Sequence, residues 1–298
     1  VGTAVQCEEL PGCSILYRPH LVWNTQTEKY VLFVNYVGST SGEYKGNAVY
    51  IADSPEGPFH LENPSMNLSR LCSHDEVCGA AQGGCGDFDI FVDPKDGAGY
   101  IAYGCNYYMS IEKLTLDYTN TAPVPAGGNG NATVVGGAFN GTMFPDYFVE
   151  APAMFERNGV YYLLYGHCCC FCFQGSGVLV FRSTSPMGPW TRQAIGKDLA
   201  CVAPSANTSI NPRSTPGQGC LYGGVNQVSI THAQQNVVIR VRGTDGNETF
   251  VWTGDLWQQS PDGLKGHEGQ YWSPLDFSSD GSIEPMHYVE SFVLDVGT

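Results

Sequence analysis

Residues 151–166 read APAMFERNGVYYLLYG: a short apolar segment, a polar Asn-Gly turn and an aromatic-rich segment. Two strands joined by so tight a turn form a β-hairpin. The same design recurs in HLVWNTQTEKYVLFVNY (20–36) and DIFVDPKDGAGYIAYG (89–104). A third strand follows two of these hairpins, in AVYIADSPEGPF (48–59) and VLVFRSTSPMGPW (178–190), and both end in Ser-Pro-x-Gly-Pro-aromatic. The chain therefore repeats one antiparallel unit.

A fourth unit contains QNVVIRVRG, ETFVWTGDLW and QYWSPLDFSSDGSI. Repeated antiparallel sheets at a period of roughly 60–70 residues are typical of β-propeller blades, and a sandwich of unrelated hairpins is the alternative. We predict an all-β propeller of the five-bladed type in a single domain, residues 1–298. About four blades are visible, at roughly 15–60, 86–120, 148–192 and 222–295. The first begins almost at Val1, which indicates that a further N-terminal blade is missing.

Composition excludes several classes of function. The net charge of −15 argues against nucleic acid, because phosphate binding needs a basic face. No apolar run approaches the ~18 residues of a membrane span. Apolar residues make up 42% of the chain and charged residues only 14%. The 37 glycines and 18 prolines indicate many turns rather than long helices.

Cysteines and glycosylation sequons together favour secretion. The chain has 12 cysteines, which is typical of an oxidising compartment. Val1 is expected to be a processed or truncated start. The Asn-x-Ser/Thr sequons predict N-linked glycans at Asn67, Asn131, Asn140, Asn207 and Asn247.

A cluster of four cysteines follows the hairpin at 151–166, in HCCCFC (167–172). A metal site, a redox centre and a set of disulfides are the three alternatives, and secretion favours disulfides. The pairing cannot be assigned from the sequence, and adjacent cysteines rarely pair with each other. The predicted disulfide cysteines are Cys7, Cys13, Cys72, Cys78, Cys85, Cys105, Cys168, Cys169, Cys170, Cys172, Cys201 and Cys220.

Two carboxylates occupy similar places in successive units. Asp87 lies four residues before Phe91, and Glu150 lies five residues before Phe155. The structural alternatives are that Asp87 caps a turn and that Glu150 is a solvated side chain. An acid just ahead of the inner strand of a blade would project at the mouth of a propeller funnel. Paired carboxylates at such a funnel are the apparatus of glycoside hydrolysis, with the two groups roughly 6.5–9.5 Å apart in inverting enzymes.

The chain resembles glycoside hydrolase family 43, and within it the branch that includes the exo-β-1,3-galactanases. The resemblance covers nearly all of residues 15–295, and its most specific pieces are Glu-Ala-Pro-Ala-Met-Phe (150–155) and Trp-Thr-Gly-Asp-Leu-Trp (252–257). It implies a five-bladed propeller that acts on galactan- or arabinan-type glycans by inversion.

The resemblance also implies roles for individual residues. Glu150 matches the general acid, and Asp87 matches the acid that orients it and tunes its pKa. The usual catalytic aspartate of the first blade has no counterpart, and Gln234 or Gln235 is the candidate in its place. Tyr17 stands before Arg18-Pro19 where this branch tends to carry a substrate-binding glutamate. That departure puts galactan specificity and catalysis in doubt.

The remaining candidates concern binding. Tyr17, Arg18, Trp257 and His232 are the candidate substrate-binding residues, with a structural histidine as the alternative for His232. We expect no cofactor or metal site, and a central Ca²⁺ is the alternative. The expected partners are carbohydrate, N-linked glycans and further copies of the chain.

Two functions of different classes remain open. One is a secreted glycosidase. The other is an inactive propeller that serves as a glycosylated structural subunit of an extracellular filament or cell-surface assembly. The missing blade, which would leave strand edges unpaired, and Tyr17 favour the second. The family resemblance makes the glycosidase-like protein the first expectation, with the structural subunit as the alternative.

Overall fold

The computed structural model describes residues 5–39, 44–69, 86–105, 108–123, 133–135, 149–167, 173–193 and 229–297. Within these ranges the regular structure is β-strand apart from two 3₁₀ turns, Cys7–Glu9 and Lys265–His267. No helix in the described part of the chain is long and apolar enough to cross a membrane.

The chain divides into two compact units. Unit 1 comprises residues 1–135 and 186–188, and unit 2 comprises residues 136–185 and 189–298. The single-domain assignment stays a prediction.

Unit 1 contains two four-stranded antiparallel sheets, each with its strands in chain order. The strands of the first sheet are β1 (Ile15–Asn24), β2 (Lys29–Val37), β3 (Tyr44–Ala52) and β4 (His60–Asn63). Those of the second are β5 (Phe88–Val92), β6 (Gly99–Cys105), β7 (Tyr108–Lys113) and β8 (Thr133–Val135).

Alternation along these strands builds the core of unit 1. Side chains at every second position point to the same face of a sheet. One face of the first sheet, with Val31, Phe33 and Val49, therefore packs in a single cluster with Phe88 and Tyr103 of the second sheet, all fully buried. This packing holds β1 beside β5.

The N-terminal segment covers part of the other face of the first sheet. Cys7 and Cys13 are joined by a disulfide, and the loop between them buries Leu10. Leu10 packs in a cluster with Leu32 and Tyr50 of the sheet. The other cysteines predicted to form disulfides lie outside the described residues, except Cys105, of which only the backbone is described.

Unit 2 contains one four-stranded and one three-stranded antiparallel sheet. The first has the order β12-β11-β10-β9 and the second the order β13-β14-β15. Their strands are β9 (Val149–Arg157), β10 (Val160–His167), β11 (Gly177–Ser183), β12 (Thr191–Arg192), β13 (Gln234–Arg242), β14 (Glu248–Asp255) and β15 (Gln270–Pro274).

The predicted hairpin at 151–166 is the β9–β10 pair. Arg157 and Val160 are direct partners, so Asn158 and Gly159 form a two-residue turn. Their φ angles are 53° and 83°, as a type I′ turn requires, and Asn-Gly is the dipeptide that tolerates both. Phe155 and Tyr162 stack at 4.9 Å across this hairpin and pack with Phe250 and Trp252 of the other sheet.

The all-β prediction is confirmed, since the described regular structure consists of four antiparallel sheets. The two sheets of unit 2 fall within the predicted repeats 148–192 and 222–295, and the first three strands of each sheet of unit 1 fall within 15–60 and 86–120. The fourth strands extend past them: β4 begins at the last residue of its repeat, and β8 lies wholly beyond its repeat. The repeat in the sequence is therefore a repeat of sheets.

Candidate functional site

In unit 1, a bulge in β1 directs Arg18 toward Asp87. The register of the β1–β2 pair shifts between Tyr17 and His20, and Arg18 has a left-handed φ of 48°. Arg18 Nε lies 2.7 Å from Asp87 Oδ1, and Arg18 Nη2 donates to Asp87 Oδ2 at 2.9 Å. This two-point contact fixes both side chains more firmly than a single hydrogen bond would.

His20 lies beside this ion pair and is neutral at pH 7. Burial, together with the positive charge of Arg18, lowers the pKa of His20 to about 4. His20 Nδ1 lies 3.3 Å from Asp89 Oδ1, and its ring is 5.1 Å from that of Phe88. Because the imidazole is neutral at pH 7, the contact with Asp89 is not an ion pair there.

Acidification should destabilise unit 1 through His20. The unfolded histidine has a pKa of 6.5 and the folded one about 4, so the unfolded state binds more protons between these values. Stability is fully present above pH 6.5 and is lost as the pH falls toward 4, by about 3 kcal/mol in total. Urea unfolding between pH 7 and 4 should show a shallower pH dependence for His20→Gln than for wild type. His60→Gln, at an exposed histidine, is the control; equal slopes for wild type and His20→Gln would contradict the assignment.

In unit 2, β9 presents Glu150 to Gln234. Ala151, the residue after Glu150, has a left-handed φ of 53°, and the β9–β10 register shifts opposite it, between Leu164 and Gly166. A left-handed alanine costs about 1–2 kcal/mol, and strain of this kind is held where surrounding packing enforces it. Gln234 Nε2 donates to Glu150 Oε2 at 2.9 Å. Gln234 is buried, and Glu150 is half-buried.

The two candidate glutamines have different surroundings. Gln235 is fully buried; its Oε1 accepts a hydrogen bond from Trp252 Nε1, and its backbone N–H donates to Ser176 Oγ at 2.9 Å. Gln234 contacts the carboxylate of Glu150 instead. Between the two, Gln234 is the one in position to act on Glu150, and Gln235 supports the core.

Gln235→Leu should lower the free energy of unfolding by about 2 kcal/mol, because it leaves the fully buried indole N–H of Trp252 without its acceptor. Gln234→Leu should cost less, since water can replace the amide at half-buried Glu150. Chemical denaturation of both variants measures the difference. A larger loss for Gln234→Leu would reverse the two assignments.

The structure places the other predicted binding residues as follows. Tyr17 is half-buried in β1 opposite Asn35. Lys265 Nζ lies 3.1 Å from the centre of the Trp257 ring, so one face of that indole is occupied by an ammonium group. His232 is exposed with a φ of 54°, and its carbonyl accepts from Gln259 Nε2 at 2.7 Å.

Asp87 belongs to unit 1 and Glu150 to unit 2, and the predicted action of Asp87 on Glu150 stays a prediction. The predicted sequons at Asn67 and Asn247 lie on exposed residues. Those at Asn131, Asn140 and Asn207 lie outside the described residues.

The two acidic residues of the β5–β6 turn, Asp93 and Asp96, have structural partners. Asp93 Oδ1 accepts from the backbone N–H of Lys95 at 3.0 Å, and Asp96 Oδ1 accepts from that of Ala98 at 2.9 Å. These carboxylates therefore cap the β5–β6 turn. In the described part of the chain, no three His, Cys, Asp or Glu side chains group as metal ligands would.

Comparison with known proteins identifies the fold. No protein-family model and no curated protein sequence matches the chain. Among solved structures, it is similar to an exo-β-1,3-galactanase from Clostridium thermocellum, with 21% identity and a TM-score of 0.65. It is also similar to an exo-β-1,3-galactanase from Phanerochaete chrysosporium with galactose, with 21% identity and a TM-score of 0.60. A family 43 β-1,3-galactosidase with galactodeoxynojirimycin gives 18% identity and a TM-score of 0.63.

These matches extend over most of the chain. They cover 95%, 92% and 95% of it, respectively. The chain spans about half the length of the two galactanases, 51% and 49%, and 78% of the galactosidase. The family 43 neighbours are five-bladed β-propellers, so the predicted fold class and the resemblance are confirmed at the level of the fold.

Proposed function

We propose that this chain, which has the fold of the family 43 galactanases, is a secreted glycoside hydrolase acting on galactan-type glycans. The observation that carries the proposal is the contact of Glu150 with Gln234, on the strand and at the residue that the galactanase resemblance marks as the general acid. The carbohydrate specificity of the structural neighbours supports galactan as the first substrate to test.

In the proposed reaction, Glu150 donates its proton to the glycosidic oxygen as the bond to the anomeric carbon breaks. Water attacks that carbon from the opposite face and loses one proton, which returns to Glu150 through solvent. The sugar is released with inverted configuration. Asp87, held by the guanidinium of Arg18, is the proposed partner that tunes Glu150.

Gln234 has a positioning role before the sugar binds. Its amide is 2.9 Å from Glu150, whereas the two catalytic groups of an inverting enzyme lie roughly 6.5–9.5 Å apart. Aligning the attacking water would therefore require Gln234 to leave Glu150 when the substrate enters. In the free protein, the amide holds the carboxyl group in one orientation.

Secretion and N-glycosylation form part of the proposal. The disulfide between Cys7 and Cys13 supports an oxidising compartment. Asn67 and Asn247 are exposed, so an oligosaccharide can be attached at either without displacing core side chains.

The test is sugar release from a panel of β-1,3-galactan and arabinan substrates by wild-type protein. Proton NMR of the first product distinguishes the anomers, and inversion of a β-linkage predicts the α-anomer. Absence of release from every substrate would overturn the proposal, and release of the β-anomer from β-1,3-galactan would overturn the inverting mechanism.

An inactive structural subunit of an extracellular filament or cell-surface assembly is the second candidate. Tyr17, rather than a carboxylate, precedes an arginine that is already held by Asp87. Leu21 and Trp23 of β1 are exposed apolar side chains, as a surface that meets another chain would present. A panel without sugar release, together with concentration-dependent assembly in sedimentation experiments, would favour this candidate.

A further inference from the structure

The sheet β13-β14-β15 carries a row of polar and aromatic side chains at the end where Gln234 lies. Gln234 is the direct partner of Asp255, and Asp255 is the direct partner of Gln270. Direct partners in an antiparallel sheet project to the same face, so these side chains share one face. Trp272, two residues beyond Gln270 on β15, projects to that face as well.

Hydrogen bonds connect Asp255, Gln270 and Trp272 of this row with one another and with Asn236 of β13. Asp255 Oδ1 accepts from Asn236 Nδ2 at 2.9 Å and from Gln270 Nε2 at 3.0 Å. Gln270 Oε1 in turn accepts from Trp272 Nε1 at 3.2 Å. The network runs from Asn236 through Asp255 and Gln270 to Trp272, and it holds the indole and the carboxylate in a fixed relation.

Two groups of this row, the Trp272 ring and Asp255 Oδ2, remain available to a ligand. Trp272 is 45% exposed, whereas Trp252 on the neighbouring strand is fully buried. Both hydrogen bonds to Asp255 end on Oδ1, and among the described residues its Oδ2 accepts none. A flat apolar ring therefore lies beside a carboxylate oxygen with acceptor capacity and two amide side chains.

This combination fits a pyranose sugar. Such a ring has an apolar face of C–H groups, which packs on an indole, and hydroxyl groups, which donate to carboxylates and exchange hydrogen bonds with amides. In a small-molecule site, a small number of fixed polar groups beside an aromatic surface orients the ligand and makes binding specific.

We propose that Trp272 and Asp255 form a subsite for a galactosyl-type pyranose unit remote from the bond that is cleaved. The inference rests on the proposed function, since it assumes that the glycan reaches Glu150. Glu150 contacts Gln234 on β13, and β15 lies two strand spacings away, or about 10 Å. A sugar on Trp272 is therefore a distal unit of the same oligosaccharide, and its binding energy favours longer glycans over single sugars.

The experiment measures binding without turnover. β-1,3-Galactotriose and, separately, galactose are titrated calorimetrically into Glu150→Gln, alone and combined with Trp272→Leu, Asp255→Asn or Trp23→Leu. Trp272→Leu and Asp255→Asn should each weaken binding of the trisaccharide about tenfold and leave galactose binding unchanged. Trp23→Leu is the matched control: Trp23 is 41% exposed and packs on the Tyr30 ring at 4.7 Å, in unit 1.

Trisaccharide binding that is unchanged in Trp272→Leu and Asp255→Asn overturns the subsite, and so does the absence of trisaccharide binding to Glu150→Gln. Equal losses for Trp23→Leu and Trp272→Leu also overturn it. Each variant is first compared with its parent by thermal melting, and if Trp272→Leu does not fold, the nearly isosteric Asp255→Asn decides. The proposed function is decided separately by sugar release from wild type, so the two failures are distinguishable.

Discussion

Glu150→Gln should lower kcat for sugar release from β-1,3-galactan by about 10²–10⁴-fold, the contribution of a positioned general acid. Glutamine keeps the size of the side chain and can still exchange a hydrogen bond with Gln234, which contacts Glu150 at 2.9 Å. It cannot transfer a proton to the glycosidic oxygen. The loss should therefore fall on kcat, with thermal stability close to that of wild type.

Glu156→Gln is the matched control for this substitution. Glu156 lies on the same strand, β9, and its Oε1 accepts from the backbone N–H of Gly159, a role that a glutamine oxygen retains. Its activity should equal that of wild type. If Glu150→Gln kept the wild-type kcat, Glu150 would not be the general acid. Equal losses of kcat in both variants would indicate damage to β9 rather than loss of an acid.

Gly175→Ala should lower the free energy of unfolding of unit 2 by about 3 kcal/mol or more. A Cβ atom at this position would lie 2.4 Å from the backbone nitrogen of Ala233 and 2.5 Å from Ser229 Oγ. The φ of Gly175 is 71°, which is an additional strain for alanine. Backbone atoms cannot move aside as a flexible side chain can, so the segment before Gln234 must shift.

Gly159→Ala is the control that introduces backbone strain without a steric clash. Gly159 has a φ of 83°, and no atom lies within 4 Å of the position that an added Cβ would take. Its cost should be about 1 kcal/mol, from the backbone conformation alone. Urea unfolding of both variants gives the comparison. Similar losses at the two positions would show that the contact between Gly175 and Ala233 does not constrain the fold.

The sequence was sufficient to predict the repeated sheets. The repeated pattern of a short apolar segment, a polar turn and an aromatic-rich segment is a local signal, and so is the Asn-Gly dipeptide. Together they predicted both strands of the β9–β10 hairpin and the turn between them. The resemblance also selected Glu150, whose strand begins one residue before it. Local patterns of this kind survive folding because each strand buries the face that its own residues define.

The contacts between distant residues were not predictable. Nothing in the sequence distinguishes Gln234 from Gln235, because the difference arises when Trp252 takes the second of them as its hydrogen-bond acceptor. The left-handed conformation of Ala151 gives no signal either, since alanine is not a residue that favours it. The pairing of Arg18 with Asp87 spans 69 positions and depends on the packing of two sheets.

The short loop closed by Cys7 and Cys13 has a consequence for how this protein should be produced. Leu10 reaches Leu32 and Tyr50 from within that loop. In a reducing compartment the loop would open, and the apolar side chains it covers would meet water or another unfolded chain. Oxidative folding should therefore keep this face of the sheet covered, and production in an oxidising host or cell fraction is the route to material on which the glycan experiments can be carried out.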